Sequence, residues 1–478
     1  MSRPSAGPIV VVGDALLDVD VTGDVRRVSP DAPVPVLDVV DEHVRPGGAA
    51  LAALMLAADG HEVVLVTPLG DDEAADQLRA ALPRAVTVLA MPHTGETPVK
   101  RRLRAGGQSL LRLDSGRHGA VGAPNDRVAE ALASASGALV ADYGRGAAAQ
   151  PELRVLLERV PRRVPVVWDP HLRGSSPVPG VALATPNLAE ALQLSGVGSG
   201  SPGAGDGDGG GLATAAAAAA KLSQTWRAGA VSVTLGARGA LLSYGVGAPL
   251  VVPAPAAHAV DTCGAGDRFA AAAIAALADG AVATEAVQAA VLAAAAYVHA
   301  GGAAGLSERR QRAPATSHLG SDAAGSAAAD DVVQRVRAAG GTVVATGGCF
   351  DLLHAGHVDS LRAARGLGDC LVVCLNSDAS VRRLKGAGRP VVGQEDRARV
   401  LQALECVDAV LIFDEDTPEK VLRTLRPDVW AKGGDYAGAE LPEAPVLAEW
   451  GGALVVLPYL RGRSTSDMVR TLAGKERP

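Results

Sequence analysis

Aromatic residues are scarce in this chain of 478 residues, making up only 3% of it. Hydrophobic residues still reach 48%, so its cores must be built from Ala, Val and Leu. Cysteine is also sparse: Cys263, Cys349, Cys370, Cys374 and Cys406 are an odd number without a CxxC pair or a Cys/His spacing typical of zinc. That pattern excludes a disulfide framework and a zinc ribbon, and leaves reduced thiols of the kind expected in the cytoplasm. Positive charge is in deficit, with 45 Lys and Arg against 52 Asp and Glu, a net charge of -7 and a pI of 5.8. A chain built around nucleic acid is excluded on that ground, whereas phosphorylated small molecules need only local basic groups. No apolar run reads as a membrane span, since the Ala-rich run at 286–300 is broken by His299 and Gly301. The start, MSRPSAGPIVVVGD, passes directly into a strand without the apolar core of a signal peptide. A cytoplasmic protein that contacts neither nucleic acid nor membrane is expected.

What the chain does have is alternation. Short apolar runs at Ile9–Val12, Val63–Val66, Ala138–Val140, Val164–Trp168 and Val231–Leu235 alternate with helical patterns, the signature of α/β layers around parallel strands. Turn residues or a polar group follow each run, where open α/β sheets bind ligands. Two stretches break the order. Residues 196–220 are glycine-rich and then alanine-rich, and read as a surface insertion before a helix; about 303–330 reads as an interdomain linker. Beyond it, Thr342–Thr346, Cys370–Leu375, Ala409–Phe413, Val429–Lys432 and Ala453–Leu457 form a second set of strands suited to a small Rossmann-like domain.

The first chemical centre is Asp261-Thr262-Cys263-Gly264-Ala265-Gly266-Asp267, ahead of the helical run Arg268–Leu277. Small residues let the backbone approach a ligand closely, and a helix N-terminus offers unpaired N–H groups, so the turn can hold an anion. Asp267 stands where its carboxylate could take the proton of a hydroxyl attacking a γ-phosphate. An acid in a first turn also serves the helix dipole, and for a bare Gly-x-Gly-Asp that structural role is the default.

Its surroundings shift that balance. Gly47-Gly48-Ala49-Ala50 opens a helix, and Asp142-Tyr143-Gly144-Arg145-Gly146 and Asp169-Pro170 each follow a strand. Thr185-Pro186-Asn187-Leu188-Ala189-Glu190 then precedes another helix. In this order, over about 8–312, the set resembles the ribokinase-like carbohydrate kinases, which transfer the γ-phosphate of ATP to a sugar hydroxyl. The resemblance implies a ribokinase-like α/β domain with a small β lid. It makes Asp267 the catalytic base and Gly264, Ala265 and Gly266 the anion hole. Asn187, Glu190, Thr234 and Gly236 fall on the side of ATP and its Mg²⁺, with no direct protein–metal site implied. Asp14, Gly47, Gly48 and Asp142 face the sugar. Val28–Val39 and Thr97–Asp114 are closer still to the heptose 7-phosphate kinases, where such segments form lid strands that often pair between subunits. A homodimer or higher homo-oligomer is implied. Lys100, Arg101, Arg102 and Arg104 would meet the substrate's phosphate or form a solvated basic strand. Two positions depart from the pattern: Leu51 replaces an Asn, and His171-Leu172-Arg173 stands where a Lys is usual.

The second centre is Gly347-Gly348-Cys349-Phe350-Asp351-Leu352-Leu353-His354-Ala355-Gly356-His357, at a strand-to-helix turn. Two histidines flanking a small-Gly step suit a nucleotide: Gly356 lets phosphates come close and the imidazoles can donate to an α-phosphate as its charge rises. Metal binding is the rival, without nearby acids or thiols to complete a site. Asn376-Ser377-Asp378 ends the next strand, and Arg383, Lys385 and Arg389-Pro390 place cations on a loop suited to β- and γ-phosphates. Lys432-Gly433-Gly434-Asp435-Tyr436 follows a further strand, and Ser464, Thr465 and Ser466 open a last helix, for phosphate or for capping.

From 342 to 470 this half is similar to the adenylyltransferase domain of the bifunctional heptose enzymes, through GGCFDLLHAGHV, NSDASVRRLKG and WAKGGDY. The resemblance makes His354, His357 and Lys385 catalytic. It assigns Gly348, Phe350, Gly356, Asn376, Asp378, Arg389, Lys432, Gly433, Asp435, Ser464, Thr465 and Ser466 to the nucleotide and its phosphates. The expected organisation is a kinase over 8–312, a linker over 313–330 and a Rossmann-like nucleotidyltransferase over 331–475. The implied activity is ADP-heptose synthesis from ATP and sugar phosphates, with a separate phosphatase acting between the two steps. The alternatives are another sugar phosphate, which Leu51 raises, or a kinase-like scaffold, which the intact Asp267 turn opposes.

Overall fold

The run Ile9-Val10-Val11-Val12 forms strand β1 (Ile9–Gly13), buried along its whole length, because β-branched residues suit a strand covered on both faces. The computed structural model describes residues 7–106, 108–198, 208–255, 262–302, 329–386, 388–434, 439 and 441–458. The chain divides into two compact units, one of 1–190, 224–230 and 257–307, the other of 191–223, 231–256 and 308–478. Most of the expected linker lies outside the described residues, as does 199–207 of the glycine-rich insertion.

In the first unit a lid sheet is built from β2 (Ala15–Val28), β3 (Pro35–Gly48), β6 (Val99–Ala105) and β7 (Gln108–Ser115), in the order β3-β2-β6-β7. The segment Val28–Val39, expected to form lid strand, does so at Val28 and from Pro35 on, while Ser29–Val34 between them is the β2–β3 turn, closed through Ser29 N–H to Val34 O at 2.9 Å. The main sheet runs parallel through β4 (Val63–Leu69), β5 (Val86–Pro92), β8 (Gly137–Ala141), β9 (Val166–Asp169) and β10 (Leu183–Ala184) around β1. Its register sets Gly13 beside Ala141 and Ala141 beside Asp169. The loops carrying Asp14, Asp142 and His171 therefore leave from one edge, the carboxyl edge where ligands bind in such sheets. The core is Val and Leu around a single large ring, Trp168. Helices Ala49–Ala58, Ala265–Ala278 and Ala283–His299 pack with small faces, which lets the first and second approach the sheet closely.

In the second unit the strands are β11 (Val231–Thr234), β12 (Ala240–Ser243), β13 (Leu250–Val252), β14 (Val343–Gly348), β15 (Cys370–Asn376), β16 (Ala409–Phe413), β17 (Val429–Gly433) and β18 (Ala453–Leu457). The last five pair in parallel in the order β16-β15-β14-β17-β18, a Rossmann-like arrangement. β18 meets β13 at Leu250–Val456, and antiparallel pairing leads on to β12 and β11. Arg383 and Lys385, expected on a loop, sit in the last turn of helix Asp378–Lys385. Ser377 caps that helix by accepting from the Ser380 N–H at 3.1 Å, which carries the turn on through the basic run. Among the described residues no helix is long and apolar enough to cross a membrane.

Candidate active sites

Gly264 caps helix Ala265–Ala278 at φ +82°, and Asp267 falls in the first turn beyond it. An L side chain at Gly264 would be strained there, and its Cβ would come within 2.7 Å of the Tyr297 hydroxyl and 2.9 Å of Leu51 Cδ2. The turn is supported from beneath by those two residues, and Tyr297 donates to Cys263 O at 3.0 Å. On the other side space is open: a Cβ on Gly266 would meet nothing within 4 Å. Ala265 N–H, of the expected anion-hole residues, is engaged with Thr262 O at 3.1 Å. Leu51, the departure noted in sequence, is thus the apolar support of the catalytic turn, only 2% exposed.

Asp267 keeps some contact with solvent, yet the protein around it removes enough water to push its carboxyl up to about 6. The Tyr143 hydroxyl donates to Asp267 Oδ1 in a short hydrogen bond and opposes that shift. Asp18 on β2 opposes ionisation of Asp267 and Lys100 on β6 favours it. Arg102 spans lid and turn, donating to Asp18 Oδ1 at 2.8 Å and to Cys263 Sγ at 3.5 Å. Lys100 and Arg102 therefore both lie near the Gly264–Asp267 turn. Asp14 and Asp142, expected at the sugar, are committed to backbone. Asp14 accepts from the N–H groups of Tyr143, Arg145 and Ala147, and Asp142 from those of Gly144 and Ser175. They shape the loops that deliver Tyr143 and Arg173. Gly47 and Gly48 end β3, where Gly48 takes φ +57° and passes against the Tyr143 ring.

Sequence patterns passed over Asp18 and Tyr143. A signal for the first was present: Asp18 and Asp20, two residues apart on an apolar strand, must turn two carboxylates to one face. On the same face Asp20 is held by Arg45 in a buried pair. Deeper, Asp169 accepts from the Thr185 hydroxyl at 2.8 Å, and burial raises its carboxyl well above the usual range, with the charge of Asp267 adding to the effect. Asn187 and Glu190 bind each other reciprocally: Glu190 Oε2 accepts from Asn187 N–H and Asn187 Oδ1 from Glu190 N–H, each at 2.9 Å. Thr234 ends β11 and Gly236 begins a short 3-10 turn, both in the second unit.

The second unit's centre starts at the end of β14. Phe350 and Leu352 both take left-handed conformations, φ 45° and 60°, costly for non-glycine residues. Asp351 between them is buried and accepts from Arg389 Nε at 2.5 Å, Val391 N–H at 3.0 Å and Val392 N–H at 3.1 Å. These bonds hold the turn in place and draw burial's effect on Asp351 back, so its carboxyl lies below the ordinary value. Arg389, expected at phosphate, is engaged here.

His354 is the N-cap of helix Ala355–Arg365 and His357 stands three residues on; together they form its capping box. His354 Nδ1 accepts from Gly356 N–H at 3.1 Å, and His357 Nδ1 from His354 N–H at 3.4 Å. With both Nδ1 atoms accepting, each neutral ring carries its proton on Nε2, as a donor pointing away from the backbone. The rings lie 3.9 Å apart, and Phe350 covers His357 at 5.5 Å. Burial, then the charges of His354 and Lys385, lower His357 to about 4, so it is neutral at pH 7. Lys385 itself is exposed.

One arginine that sequence patterns missed ties this centre together. Arg397 is 3% exposed and reaches four places: Cys349 O, Asn376 O at 3.0 Å, Asp378 Oδ1 at 2.7 Å and Val392 O at 2.9 Å. Asp378, expected at the nucleotide, is its ion-pair partner. Asn376 amide donates to Ser380 Oγ at 3.1 Å, and Cys349 Sγ lies 3.8 Å from Asn376 Oδ1. Gly348, which ends β14, has the Phe350 ring 3.2 Å from where a Cβ would stand. Lys432 pairs with the buried Glu443 at 2.8 Å, and Gly433 follows it beside Ser360. Asp435, Ser464, Thr465 and Ser466 lie outside the described residues. Among the described residues no group of three or more His, Cys, Asp and Glu could hold a metal ion.

Comparison with known proteins agrees with two chemistries in one chain. Residues 7–310 match the pfkB family carbohydrate kinases, and residues 345–445 match the cytidylyltransferase-like family. The chain is 55% identical over 471 residues to the bifunctional protein HldE of Streptomyces coelicolor, covering 98% of each. It is 38% identical to that of Ectopseudomonas mendocina, covering 99% of each, and 39% identical to that of Halorhodospira halophila, covering 98% of this chain and 97% of the other.

Proposed function

Since the chain belongs to the family of bifunctional HldE proteins, a sugar kinase joined to a nucleotidyltransferase, we propose that its two centres carry the two ATP-dependent steps of ADP-heptose synthesis. The kinase phosphorylates heptose 7-phosphate at O1. The transferase later moves AMP from ATP to heptose 1-phosphate and releases pyrophosphate. The observation that carries this is the pair of helix N-termini, each presenting a reactive side chain: Asp267 one turn beyond Gly264, and His354 with His357 across Gly356.

In the kinase, Asp267 takes the proton of the sugar O1 hydroxyl as that oxygen attacks the γ-phosphorus of ATP. The N–H groups around Gly264 and Gly266 receive the negative charge of the transferred group. Lys100 and Arg102 meet the phosphate the sugar already carries, with Gly47 and Gly48 giving it backbone room and Asp14, Asp18 and Asp142 on the sugar side. Mg²⁺ fits on the nucleotide side, since this ion keeps water and substrate phosphates and needs only one or two protein oxygens. Asn187 and Glu190 would hold it, Glu190 using the carboxylate oxygen that does not cap its own helix; when bound, it neutralises triphosphate charge.

In the transferase the sugar 1-phosphate attacks the α-phosphorus in line, without a covalent intermediate on the protein. The two Nε2–H donors stabilise charge on the α-phosphate, and Lys385, Arg389 and Lys432 face the departing pyrophosphate. Asn376, Gly433, Asp435 and Ser464–Ser466 complete the nucleotide site, with Asp378 acting through Arg397. The functional boundaries are 8–312 and 331–475, and the protein works in the cytoplasm. The lid exposes Val25, Val39, Val40, Leu110, Leu111 and Leu113, each at least 40% open, which supports pairing of lids in a homodimer.

The product of heptose 1,7-bisphosphate must lose its 7-phosphate before the second step, so a separate phosphatase acts between them. Mass spectrometry of the purified chain with heptose 7-phosphate, ATP and Mg²⁺ should show the bisphosphate alone, and ADP-heptose once a phosphatase is added. No bisphosphate from this sugar would sink the heptose assignment.

A further inference from the structure

Tyr143 has no part in the transfer described above, yet its hydroxyl is bonded to the base itself. Its place is over-determined. The backbone N–H is held by Asp14 Oδ2 at 3.1 Å, and the ring lies 3.5 Å from where a Cβ of Gly48 would stand. The His171 ring is 6.4 Å away. Three elements thus fix a phenol whose only side-chain bond among the described residues goes to the Asp267 carboxylate.

The groups around Asp267 explain why such a donor is needed. Asp18 faces it from β2, Lys100 from β6 and Asp169 from the end of β9. Arg102 is turned to Asp18 and Cys263, and Arg268, next along the helix, to Asp59. Asp142 is bound to backbone, and helix Ala283–His299 contributes Tyr297, which donates to Cys263 O. The balance is two acids against one lysine in a site poor in water, which favours a protonated Asp267. A protonated base cannot accept a proton from the sugar.

We propose that Tyr143 is a positioning residue of the kinase: its hydroxyl pins Asp267 Oδ1, keeps the carboxylate ionised and leaves Oδ2 aimed at the sugar hydroxyl. The inference rests on the kinase function proposed above. In the step itself the sugar O–H bond breaks and its proton passes to Oδ2. The O–P bond to the γ-phosphorus forms, and the bond from that phosphorus to the β–γ bridging oxygen breaks as ADP leaves. Tyr143 keeps its proton throughout, since burial and the neighbouring Asp267 raise its hydroxyl well above the usual phenol range.

The test is Tyr143→Phe in the full chain, with kcat and KM for heptose 7-phosphate phosphorylation measured across pH. Removing one hydrogen bond from a carboxylate moves its ionisation by about one pH unit. The acid limb should therefore move up by about one unit, with a loss of about fivefold at pH 6 that approaches tenfold at lower pH, shrinks by pH 8 and leaves KM little changed. Nucleotidyl transfer to heptose 1-phosphate by the same preparation should stay at the wild-type rate. Equal loss at every pH, or an unmoved limb, overturns the proposal. Infrared spectra of ¹³C-aspartate-labelled protein, with Asp267→Asn as the blank, read the same ionisation without turnover. An unchanged carboxyl midpoint in Tyr143→Phe overturns it there too. If wild-type protein phosphorylates no sugar phosphate, the kinase function falls, and the infrared midpoint still decides the role of Tyr143.

Discussion

Burial acts on both centres and drives their titrating groups in opposite directions: Asp267 rises to about 6 while His357 falls to about 4. The physical cause is shared, because removing water penalises whichever form is charged. The consequence for chemistry is opposite. The kinase needs the charged form of its base, so burial works against it and Tyr143 and Lys100 work back. The transferase uses a neutral His357 as a fixed donor, so burial helps it. The centres differ in construction too. His354 and His357 are neighbours on one turn, whereas Asp18, Lys100, Tyr143, Cys263 and Asp267 come from segments spread over most of the first unit.

The sharpest way to break that comparison is to silence one centre at a time. Asp267→Asn should lower sugar phosphorylation by about 10²–10⁴-fold, the usual worth of a general base. His357→Ala should lower nucleotidyl transfer by about 10²–10³-fold, as for loss of one oxyanion donor. Each variant should leave the other activity intact, with ADP and pyrophosphate release followed on one preparation. Loss of both activities from either substitution would show that the centres are not separable.

Arg397→Ala comes next. It strands three carbonyls and the half-buried Asp378 carboxylate, at a cost of about 1–3 kcal/mol, and urea unfolding should show that loss in the second unit's transition. Arg397→Lys should recover only part of it, since one ammonium cannot reach four acceptors set around a planar guanidinium. Full recovery by lysine would reduce Arg397 to a simple counter-charge.

The smallest effect is the pH profile. Asp267 must be ionised to act, so phosphorylation should fall about tenfold for each pH unit below about 6. His357 stays neutral down to about 4, so nucleotidyl transfer should be level through the same window. A transfer rate that drops alongside phosphorylation near pH 6 would mean the imidazole is not held neutral.

The sheets were legible because strands covered on both faces are continuous apolar runs: Ile9–Gly13, Cys370–Asn376 and Ala453–Leu457 stand where their Val, Ile and Leu content puts them. The lid was less so, because β2 and β3 change from buried to exposed along their length and lose a steady period. The histidine centre could be read from four consecutive residues. Arg397 could not, since it owes its role to Cys349, 48 residues away; Asp18 could be read as one of two carboxylates on a strand face, but not its partner Arg102, 84 residues away. Asp14 and Asp142 showed in sequence only that an acid follows a strand, not that each would hold backbone N–H groups. An acid after a strand signals a ligand or a loop anchor equally well, and only the N–H groups around it decide which.

The capping box of His354 and His357 has a consequence for how this chain can change over time. The side chains that serve the nucleotide also start a helix, so losing either histidine exposes helix N–H groups as well as stopping the reaction, at about 1 kcal/mol for the cap. A descendant that no longer needed nucleotidyl transfer could not discard the pair without penalty. Drift at these two positions is restrained by folding as well as by activity, and the pair would outlast the reaction it serves.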